Sequence, residues 1–414
     1  MLGGLGASAA ATITPKASAR TTAKVVIIGG GFGGATAAST LKAIAPEVDI
    51  TLIETNRAYH SCPMSNLVIS GYKDANGQTF RYDALEQFGI KIVNGWATDV
   101  DPIARTVTIE ENQTLSYDRL ILSPGIDIRW GAIEGYDKGD ATRFPHAWKG
   151  RMQRQLLQQQ LKALEDGQTV FMSVPPAPYR CPPGPYERAS LIAHYLKTQK
   201  PKSKLIILDS KDSFSKMPLF KEAWATHYPD HLEWISASND GRVSRVDTKA
   251  MTLSTDFETY QASVANVIPP QKAGQIADRA EVTDTTGWCP INATTFESVL
   301  QPNIHVIGDA TIAAPMPKSA FSANLQGKLC AMAVAELLAG RAPQSTVLAN
   351  TCYSYTTPSQ AVSIVGAYTN QDGKFESIPG AGGLSPMQAT DSIRRTEAAE
   401  AESWFKAITK ETFG

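Results

Sequence analysis

A glycine-rich turn between two apolar segments constrains the fold more than any other feature of this chain. Residues 24–31 read KVVIIGGG, a continuous apolar run typical of a buried parallel strand, which leads into Gly29-x-Gly31-x-x-Gly34. A small-residue helix follows, and the segment VDITLIE then ends at Glu54. Because strand, helix and acid stand in register, this unit predicts a dinucleotide-binding α/β domain.

Each residue type in this unit has its own task in such a site. Gly29 permits the tight turn, Gly31 lets the backbone approach a pyrophosphate, and Gly34 lets the helix pack closely on the strand. The free N–H groups at the helix N-terminus bind the phosphates. Glu54 accepts hydrogen bonds from a ribose diol and would repel a 2′-phosphate, so we predict that it contacts the ribose.

Two later segments are predicted strands of the same domain. YDRLILSPG ends at Gly125, and NIHVIGDA carries Asp309 at the end of its apolar run. An aspartate at the carboxyl end of a parallel strand is well placed to bind a ribitol hydroxyl, although Asp309 is also suited to cap the helix that follows. With the first motif, this pattern resembles the flavoproteins that have two dinucleotide domains, in which an inserted domain splits the FAD domain.

The predicted insert contains a second strand–helix–strand unit, but its turn lacks the glycines that a pyridine nucleotide requires. QTVFMSV is a predicted strand, YERASLIAHYLK a helix and SKLIILD the next strand. The turn between the first strand and the helix is PPAPYRCPPGPYE, with five prolines between Pro175 and Pro183. Prolines lack N–H donors and crowd a pyrophosphate, so we predict that this domain has no functional NAD site.

The predicted fold class is α/β, with two Rossmann-like dinucleotide-binding domains of the glutathione-reductase kind and a C-terminal α+β interface domain. The predicted ranges are an export-signal remnant or disordered tail at 1–22, a discontinuous FAD-binding domain at 23–135 and 270–340, the second Rossmann-like domain at 136–269, and the interface domain at 341–414.

Composition and the N-terminus narrow the class of protein. The formal net charge is −1 and no run of one sign stands out, which disfavours a nucleic-acid partner. No uncharged apolar run approaches the ~18–20 residues of a membrane span, so we expect no integral membrane segment. The first 24 residues are rich in small side chains and contain Ala-Ser-Ala at 17–19, which favours an exported, periplasmic protein over a plain disordered tail.

The chain has five cysteines and no CxxC pair, so any pairing between them must be made by the fold. Cys289 follows a tryptophan in an apolar segment and Cys330 lies on a predicted helix, which suggests that both are buried thiols.

Four stretches resemble one family. YHSC-x-x-SN, RCPPGPYERAS, GWCP-x-x-x-x-TFES with IHVIGDA, and NTCYS together are similar to the flavoprotein subunit of flavocytochrome c sulfide dehydrogenase, a relative of sulfide:quinone oxidoreductase. The resemblance extends from about Lys24 to Gly414 and implies a protein that oxidises sulfide and passes electrons through FAD to a cytochrome c, either a bound subunit or a soluble one.

The resemblance also implies roles for particular residues. Cys62 matches the cysteine that forms a thioether to the flavin, and Cys181 and Cys352 match the pair that forms a redox-active disulfide. Glu187 matches a glutamate associated with proton handling; its position near a helix start is also compatible with a plain first-turn acid. The helix that begins after Cys181 is expected to stabilise a thiolate there.

The chain departs from the family pattern after Cys62, where Pro63 and Met64 replace an aromatic residue and a leucine. His, Cys and Met are soft ligands that suit copper. On an extended strand, His60, Cys62 and Met64 would face one side. We predict no metal site as first choice; if copper binds, the candidate ligands are Cys181, Cys352, Met64 and His60.

Two further functions compete with a sulfide dehydrogenase that donates electrons to cytochrome c. One is a copper-binding flavoprotein that uses the cysteine pair as metal ligands. The other is a sulfide:quinone oxidoreductase, which the lack of a C-terminal amphipathic anchor in this sequence disfavours. An NADH-dependent disulfide reductase is disfavoured by the proline-filled turn and by the absence of a local CxxxxC.

Overall fold

The computed structural model describes residues 22–414. The predicted tail at 1–21, with its Ala-Ser-Ala, therefore lies outside the described residues.

The N-terminal segment supplies most of the first dinucleotide-binding domain. Its strands are β1 (Lys24–Ile28), β2 (Asp49–Glu54), β3 (Ala58–His60), β4 (Thr79–Arg81), β5 (Lys91–Asn94), β6 (Ala97–Asp101), β7 (Thr106–Ile109), β8 (Gln113–Ser116), β9 (Arg119–Leu122) and β10 (Ile126–Ile128). Its helices are α1 (Phe32–Ile44), α2 (Ser65–Ile69) and α3 (Asp83–Gln87). The apolar residues of β1 and β2 are buried because the parallel sheet is covered on both faces.

The inserted segment forms a second parallel sheet. It contains helices α4 (Arg151–Ala163), α5 (Gly184–Gln199) and α6 (Met217–His227), and strands β11 (Thr169–Val174), β12 (Lys204–Asp209), β13 (Leu232–Ile235), β14 (Arg245–Asp247), β15 (Thr252–Ser254), β16 (Thr259–Gln261) and β17 (Val264–Val267). The strand order of the sheet is β13-β12-β11-β17, and all of its pairs are parallel. It falls within the predicted range 136–269.

The chain then returns to the first domain. The returning elements are β18 (Gln271–Ala273), α7 (Gln275–Arg279), β19 (Ile304–Val306) and α8 (Ala320–Leu338). β18 pairs antiparallel with β10, so the outgoing and returning connections lie side by side. β19 completes a five-stranded parallel sheet in the order β19-β9-β1-β2-β5. The two dinucleotide-binding folds predicted from the sequence are thus confirmed.

The C-terminal residues form an antiparallel sheet covered by a long helix. The strands are β20 (Val347–Thr357), β21 (Gln360–Thr369), β22 (Glu376–Ser377) and β23 (Gly383–Leu384), and the helix is α9 (Asp391–Phe413). Thr390 caps α9 by accepting a hydrogen bond from the Ile393 N–H. At the other end of α9, Phe413 stacks on Tyr59 with ring centroids 5.2 Å apart, which ties the last turn to the first domain.

No helix among residues 22–414 combines the length and the apolar character that crossing a membrane requires.

Candidate active site

One cavity of about 740 Å³ lies between the two dinucleotide-binding domains and the C-terminal sheet. The predicted site residues on its wall are Gly29, Gly31, Glu54, His60, Cys62, Met64, Gly125, Cys181, Glu187, Asp309 and Cys352. Gly34 does not line the cavity and lies behind the glycine turn. The fold therefore brings together residues that are more than 300 positions apart in the chain.

The glycine turn leaves room for a dinucleotide because side chains are absent from it. Gly29 has a φ of +98°, and a Cβ atom there would overlap the Ser123 carbonyl oxygen. A Cβ on Gly34 would overlap the carbonyl oxygen of Gly29, so the close approach of α1 to the turn depends on glycine at this position. Gly31 is the N-cap of α1, whose N-terminal N–H groups open toward the cavity.

Two acids stand at the ends of strands that border the cavity. Glu54 Oε2 accepts a 2.8 Å hydrogen bond from the Gly30 N–H, which holds the carboxylate beside the glycine turn. Asp309 Oδ1 is buried and has no hydrogen-bond partner, and burial raises the pKa of this carboxyl group. A buried acceptor without a donor fits a ligand hydroxyl, so the site has the polar groups that a ribitol chain requires.

The segment around Cys62 is a turn, so the prediction that residues 60, 62 and 64 share one face of a strand is wrong. β3 ends at His60, and the Ser65 N–H donates to the Cys62 carbonyl oxygen at 3.1 Å. Met64 has a φ of +66° and is 7% exposed, packed in an apolar cluster with Leu67 and neighbours from other elements. Pro63 is compatible with a turn but not with an interior strand, because proline has no backbone N–H to donate to a neighbouring strand.

The His60 side chain contacts a threonine of the neighbouring strand. Its Nδ1 shares a 3.1 Å hydrogen bond with Thr79 Oγ1, and burial together with Arg151 lowers its pKa. No group of three or more His, Cys, Asp or Glu side chains arranged to hold a metal ion is present in the part of the chain that the structure describes.

Cys181 and Cys352 meet on the cavity wall from two different domains. Cys181 precedes α5 with a φ of +57°, and its N–H donates to the Lys318 carbonyl oxygen at 2.8 Å. Cys352 lies in the middle of β20. The Cys352 Sγ donates to the Tyr353 carbonyl oxygen at 3.9 Å. Interaction between the two side chains lowers the pKa of Cys352 to about 7 and raises that of Cys181.

The expectation that the α5 helix end would stabilise a thiolate at Cys181 is therefore not met. The neighbouring Cys352 side chain and burial of the Cys181 thiol both raise its pKa. Of the two thiols, Cys352 is the one whose pKa is lowered. Cys289 and Cys330 are fully buried, as predicted.

Glu187 lies in the first turn of α5 and faces the cysteine pair, but it is not an exposed helix-start acid. Its Oε2 accepts a hydrogen bond from Asn66 Nδ2 at 2.7 Å, and its Oε1 accepts one from the Tyr355 N–H at 2.9 Å. Burial nevertheless raises its pKa, since desolvation outweighs both hydrogen bonds. A carboxyl group with a raised pKa next to two thiols is a candidate for proton exchange with them.

Several polar residues of this site were not identified from the sequence. Arg188 donates to Asn66 Oδ1 at 3.0 Å and to Asn266 Oδ1 at 2.9 Å, which orients the asparagine that holds Glu187. Arg180 lines the cavity beside Cys181, and its buried Nε has no partner. Both arginines and Asn66 lie inside the motifs that carry the family resemblance. Their position in those motifs was the one sequence feature that could have identified them as site residues.

The nucleotide position of the second domain is filled by protein. Asp209 ends β12, where an acid would accept hydrogen bonds from a ribose in an NAD-binding unit. Here Asp209 is fully buried and accepts hydrogen bonds from Tyr186 Oη at 2.6 Å and Trp234 Nε1 at 3.0 Å, and it pairs with Lys211 Nζ at 2.6 Å. Tyr186 also stacks on Phe214 with ring centroids 3.6 Å apart. This geometry favours the absence of an NAD site, which stays a prediction.

Comparison with known families and proteins follows the division of the chain. Residues 154–269 match the central domain of the sulfide dehydrogenase [flavocytochrome c] flavoprotein chain, and residues 344–413 match the flavin-binding domain of flavocytochrome c sulphide dehydrogenase. Residues 23–163 match the pyridine nucleotide-disulphide oxidoreductase family.

Individual relatives agree with these matches. The flavoprotein chain of sulfide dehydrogenase [flavocytochrome c] from Chlorobaculum thiosulfatiphilum is 47% identical over 47 residues, which are 11% of this chain and 98% of that sequence. The mitochondrial sulfide:quinone oxidoreductase of Mus musculus is 22% identical over 310 residues, 70% of this chain and 65% of that protein. This chain thus spans just under two thirds of the mouse relative.

Among solved structures, the sulfide:quinone oxidoreductase of Aquifex aeolicus has the same fold. The two superpose with a TM-score of 0.73 at 17% identity, over 94% of this chain and 92% of that chain. The cofactor that the matched flavin-binding domain implies fits the cavity, because the glycine turn, Glu54 and the unpartnered Asp309 supply the backbone and hydroxyl contacts that FAD requires.

Proposed function

Because this chain belongs to the family of flavoprotein chains of flavocytochrome c sulfide dehydrogenase, we propose that it is an FAD-dependent sulfide dehydrogenase that works through a Cys181–Cys352 disulfide. The observation that carries the proposal is the meeting of Cys181, Cys352 and Glu187 on the wall of a cavity with a dinucleotide cradle. Cys181 and Glu187 are close in sequence, since they lie just before and just after the start of α5. Cys352 is distant from both in sequence and is brought to them by the fold.

The first step is an exchange of sulfur bonds. Hydrosulfide attacks one sulfur of the disulfide, which forms a persulfide there and releases the other sulfur as a thiolate. Glu187 can take the proton that hydrosulfide or the persulfide loses, because its pKa is raised and it lies beside the pair. Asn66 and the Tyr355 N–H hold the carboxyl group in place.

Further residues hold the cofactor. Gly29, Gly31 and Gly34 would shape the pyrophosphate site, Glu54 and Asp309 would accept hydrogen bonds from the ribose and ribitol hydroxyls, and Gly125 would contribute to the cofactor site from the cavity wall. The Cys62 thiol, which faces the cavity, is proposed to link the flavin covalently. When bound, FAD accepts two electrons from the sulfur pair and releases them one at a time to the acceptor. Denatured protein whose flavin stays on the Cys62 peptide would support the link, and free flavin in the acid supernatant would exclude it.

We propose a cytochrome c, as a subunit or a soluble protein, as the acceptor, and the periplasm as the location. Both rest on the family and on the predicted export signal. Steady-state assays with oxidised cytochrome c and with a short-chain quinone distinguish this proposal from a sulfide:quinone oxidoreductase. A protein that reduces only the quinone would refute the cytochrome acceptor.

The test of the central step is an anaerobic titration of the holoprotein with sulfide, followed by the absorbance of the oxidised flavin. We expect bleaching at about one sulfide per flavin and recovery on addition of oxidised cytochrome c. A Cys352→Ala variant, which keeps the cradle but lacks the pair, should not bleach. Bleaching of that variant at the wild-type rate would refute the disulfide route.

A copper-binding role remains the second candidate. It rests on the two adjacent thiols of Cys181 and Cys352, with the Met64 side chain on the same cavity wall. Metal analysis of protein purified with copper tests it: copper retained by wild type and lost in Cys352→Ala supports binding at the pair, and metal-free wild type ends the hypothesis.

A further inference from the structure

A buried lysine reaches the strand that carries Cys352 from another domain. Lys216 is the N-cap of α6 in the second domain and is 3% exposed. Its φ of +63° lies in the left-handed region, which is uncommon for a residue other than glycine and persists only where the surroundings hold it. The lysine is therefore fixed at both its backbone and its side chain.

The ammonium group of Lys216 is fully hydrogen-bonded by neutral acceptors. Nζ donates to the Cys352 carbonyl oxygen at 2.9 Å, to Ser354 Oγ at 2.7 Å and, more weakly, to the Val362 carbonyl oxygen at 3.4 Å. These three acceptors match the three donors of an ammonium group. They belong to β20 and β21, so the side chain bridges the second domain and the C-terminal sheet beside the cysteine pair.

No carboxylate neutralises this charge directly. Within residues 22–414, Lys216 takes part in no salt bridge. Burial of an unpaired charge is unfavourable, and the negative groups that act on it are, in order of strength, Cys352, Glu187, Cys181 and Glu397. The strongest partner of the buried lysine is thus a thiol of the predicted redox pair.

We propose that Lys216 is a positioning residue of the cysteine pair: its ammonium group fixes the β20 segment at Cys352 and favours the reduced, thiolate-bearing form of the pair. The inference rests on the proposed function in one respect, namely that Cys181 and Cys352 form a disulfide in the working protein. It adds a residue that neither the motifs nor the family matches point out.

The direction of the effect follows from the charge balance of reduction. Two electrons and one proton convert the disulfide to one thiol and one thiolate, so the reduced pair carries one negative charge that the disulfide lacks. A nearby positive charge stabilises that form and makes the disulfide easier to reduce. Lys216 also helps to lower the pKa of Cys352, an effect that likewise favours the thiolate.

In the experiment, the holoprotein is equilibrated anaerobically at pH 7 with defined ratios of reduced and oxidised dithiothreitol. Reduced dithiothreitol is the two-electron donor. The fraction of Cys181–Cys352 disulfide is then measured by alkylation and mass spectrometry of the joined and separate peptides. Lys216→Gln removes the charge but keeps amide N–H donors, and Lys216→Met is a second neutral variant in case the first does not fold. Lys216→Arg keeps the charge. Lys221→Met, at an exposed lysine of the same helix, is the matched control for net charge.

We expect both neutral variants to lower the equilibrium constant for reduction about tenfold, which corresponds to a potential about 30 mV more negative. Lys216→Arg and Lys221→Met should stay within about threefold of wild type. Neutral variants that also stay within threefold would overturn the role of Lys216 while leaving the redox pair intact. A wild-type protein in which these two cysteines never form a disulfide would overturn the proposed function and this inference together.

Discussion

Replacement of Glu187 by glutamine separates the proposed proton-handling role of this residue from its role in packing. Glutamine has nearly the same shape, so the α5 helix start and the cavity wall keep their form. In the wild-type protein, the two carboxylate oxygens of Glu187 accept hydrogen bonds from Asn66 Nδ2 and from the Tyr355 N–H. The amide of glutamine has only one oxygen that can accept. One of these two buried donors therefore loses its acceptor.

The expected magnitudes follow from that count. An unsatisfied buried donor costs about 1–3 kcal/mol, so the free energy of unfolding of Glu187→Gln should fall by that amount at pH 7. The loss is reduced by the gain from no longer burying a carboxyl group that desolvation disfavours in its charged form. Loss of a positioned proton acceptor lowers rates by about 10²–10⁴-fold, so the rate constant of flavin bleaching by sulfide should fall within that range.

The pH dependence of stability gives an independent readout of the same residue. The pKa of Glu187 is raised above its ordinary value of 4.5, so the folded protein binds more protons than the unfolded chain between the two pKa values. The contribution of Glu187 to stability is therefore greatest at low pH and declines as the pH rises through the folded pKa. Glu187→Gln should lack that decline.

Stopped-flow bleaching and denaturant unfolding at several pH values test both parts. The control is Glu336→Gln, at a half-exposed glutamate of α8 that pairs with Arg341. A bleaching rate in Glu187→Gln within threefold of wild type across the pH range would refute proton handling by this residue. A variant as slow as predicted, but with the wild-type pH dependence of stability, would contradict the raised pKa.

Three further changes test other parts of the site. Gly34→Ala places a Cβ against the Gly29 carbonyl oxygen, so we expect purified protein with less than about a tenth of the wild-type flavin content, measured by absorbance after denaturation. Asp309→Ala removes the unpartnered buried acceptor, and we expect FAD affinity to fall about tenfold or more by fluorescence titration of flavin-depleted protein, with the apoprotein as stable as wild type. Tyr186→Phe deletes a 2.6 Å donor to buried Asp209 and should lower the free energy of unfolding by about 1–3 kcal/mol without creating NADH oxidation; NADH-dependent bleaching in wild type or variant would contradict the filled nucleotide site.

Elements with strong local patterns could be predicted from the sequence. The apolar run of β1, the glycine turn and the acid at the end of β2 describe one unit whose partners are adjacent in the chain, and its fold follows from local rules. The second parallel sheet was predictable for the same reason, because β11, α5 and β12 follow one another closely.

The turn after β3 shows where local patterns fail. His60, Cys62 and Met64 alternate as strand residues do, yet the strand ends at His60 because its antiparallel partner β4 is only three residues long and begins with Thr79, opposite His60. Met64 is then drawn into an apolar cluster with residues of α5, β20 and α9, contacts that no window of a few residues contains.

Lys216 shows a second kind of failure. In the sequence it is one lysine among the 39 basic residues, in a segment that reads as a polar loop. Its burial arises because α6 abuts β20 and β21, whose carbonyl groups accept from its ammonium group. The positions of buried charges depend on how domains meet, and sequence patterns within one domain do not record that.

The segment that is predicted to prevent NAD binding in the second domain also carries Cys181. In a pyridine-nucleotide domain, the turn between β11 and α5 would present backbone N–H groups to a pyrophosphate. Here prolines remove N–H groups from that turn, and Cys181 takes the position before the helix with its backbone anchored to the Lys318 carbonyl oxygen. Tyr186, one turn further on, occupies the space beside Asp209 that a ribose would need.

The residues that fill the predicted nucleotide position and the Cys181 thiol thus belong to one segment of the chain and form one structural feature rather than two. A single-residue reversal at Cys181, Tyr186 or a proline would leave the other obstacles in place, so we expect none of them to restore NADH binding. Exchange of the whole segment 175–184 for a glycine-rich turn would also remove the Cys181 thiol. NADH binding measurable by calorimetry in a variant with a single substitution at Tyr186 would refute this coupling between the filled nucleotide position and the placement of Cys181.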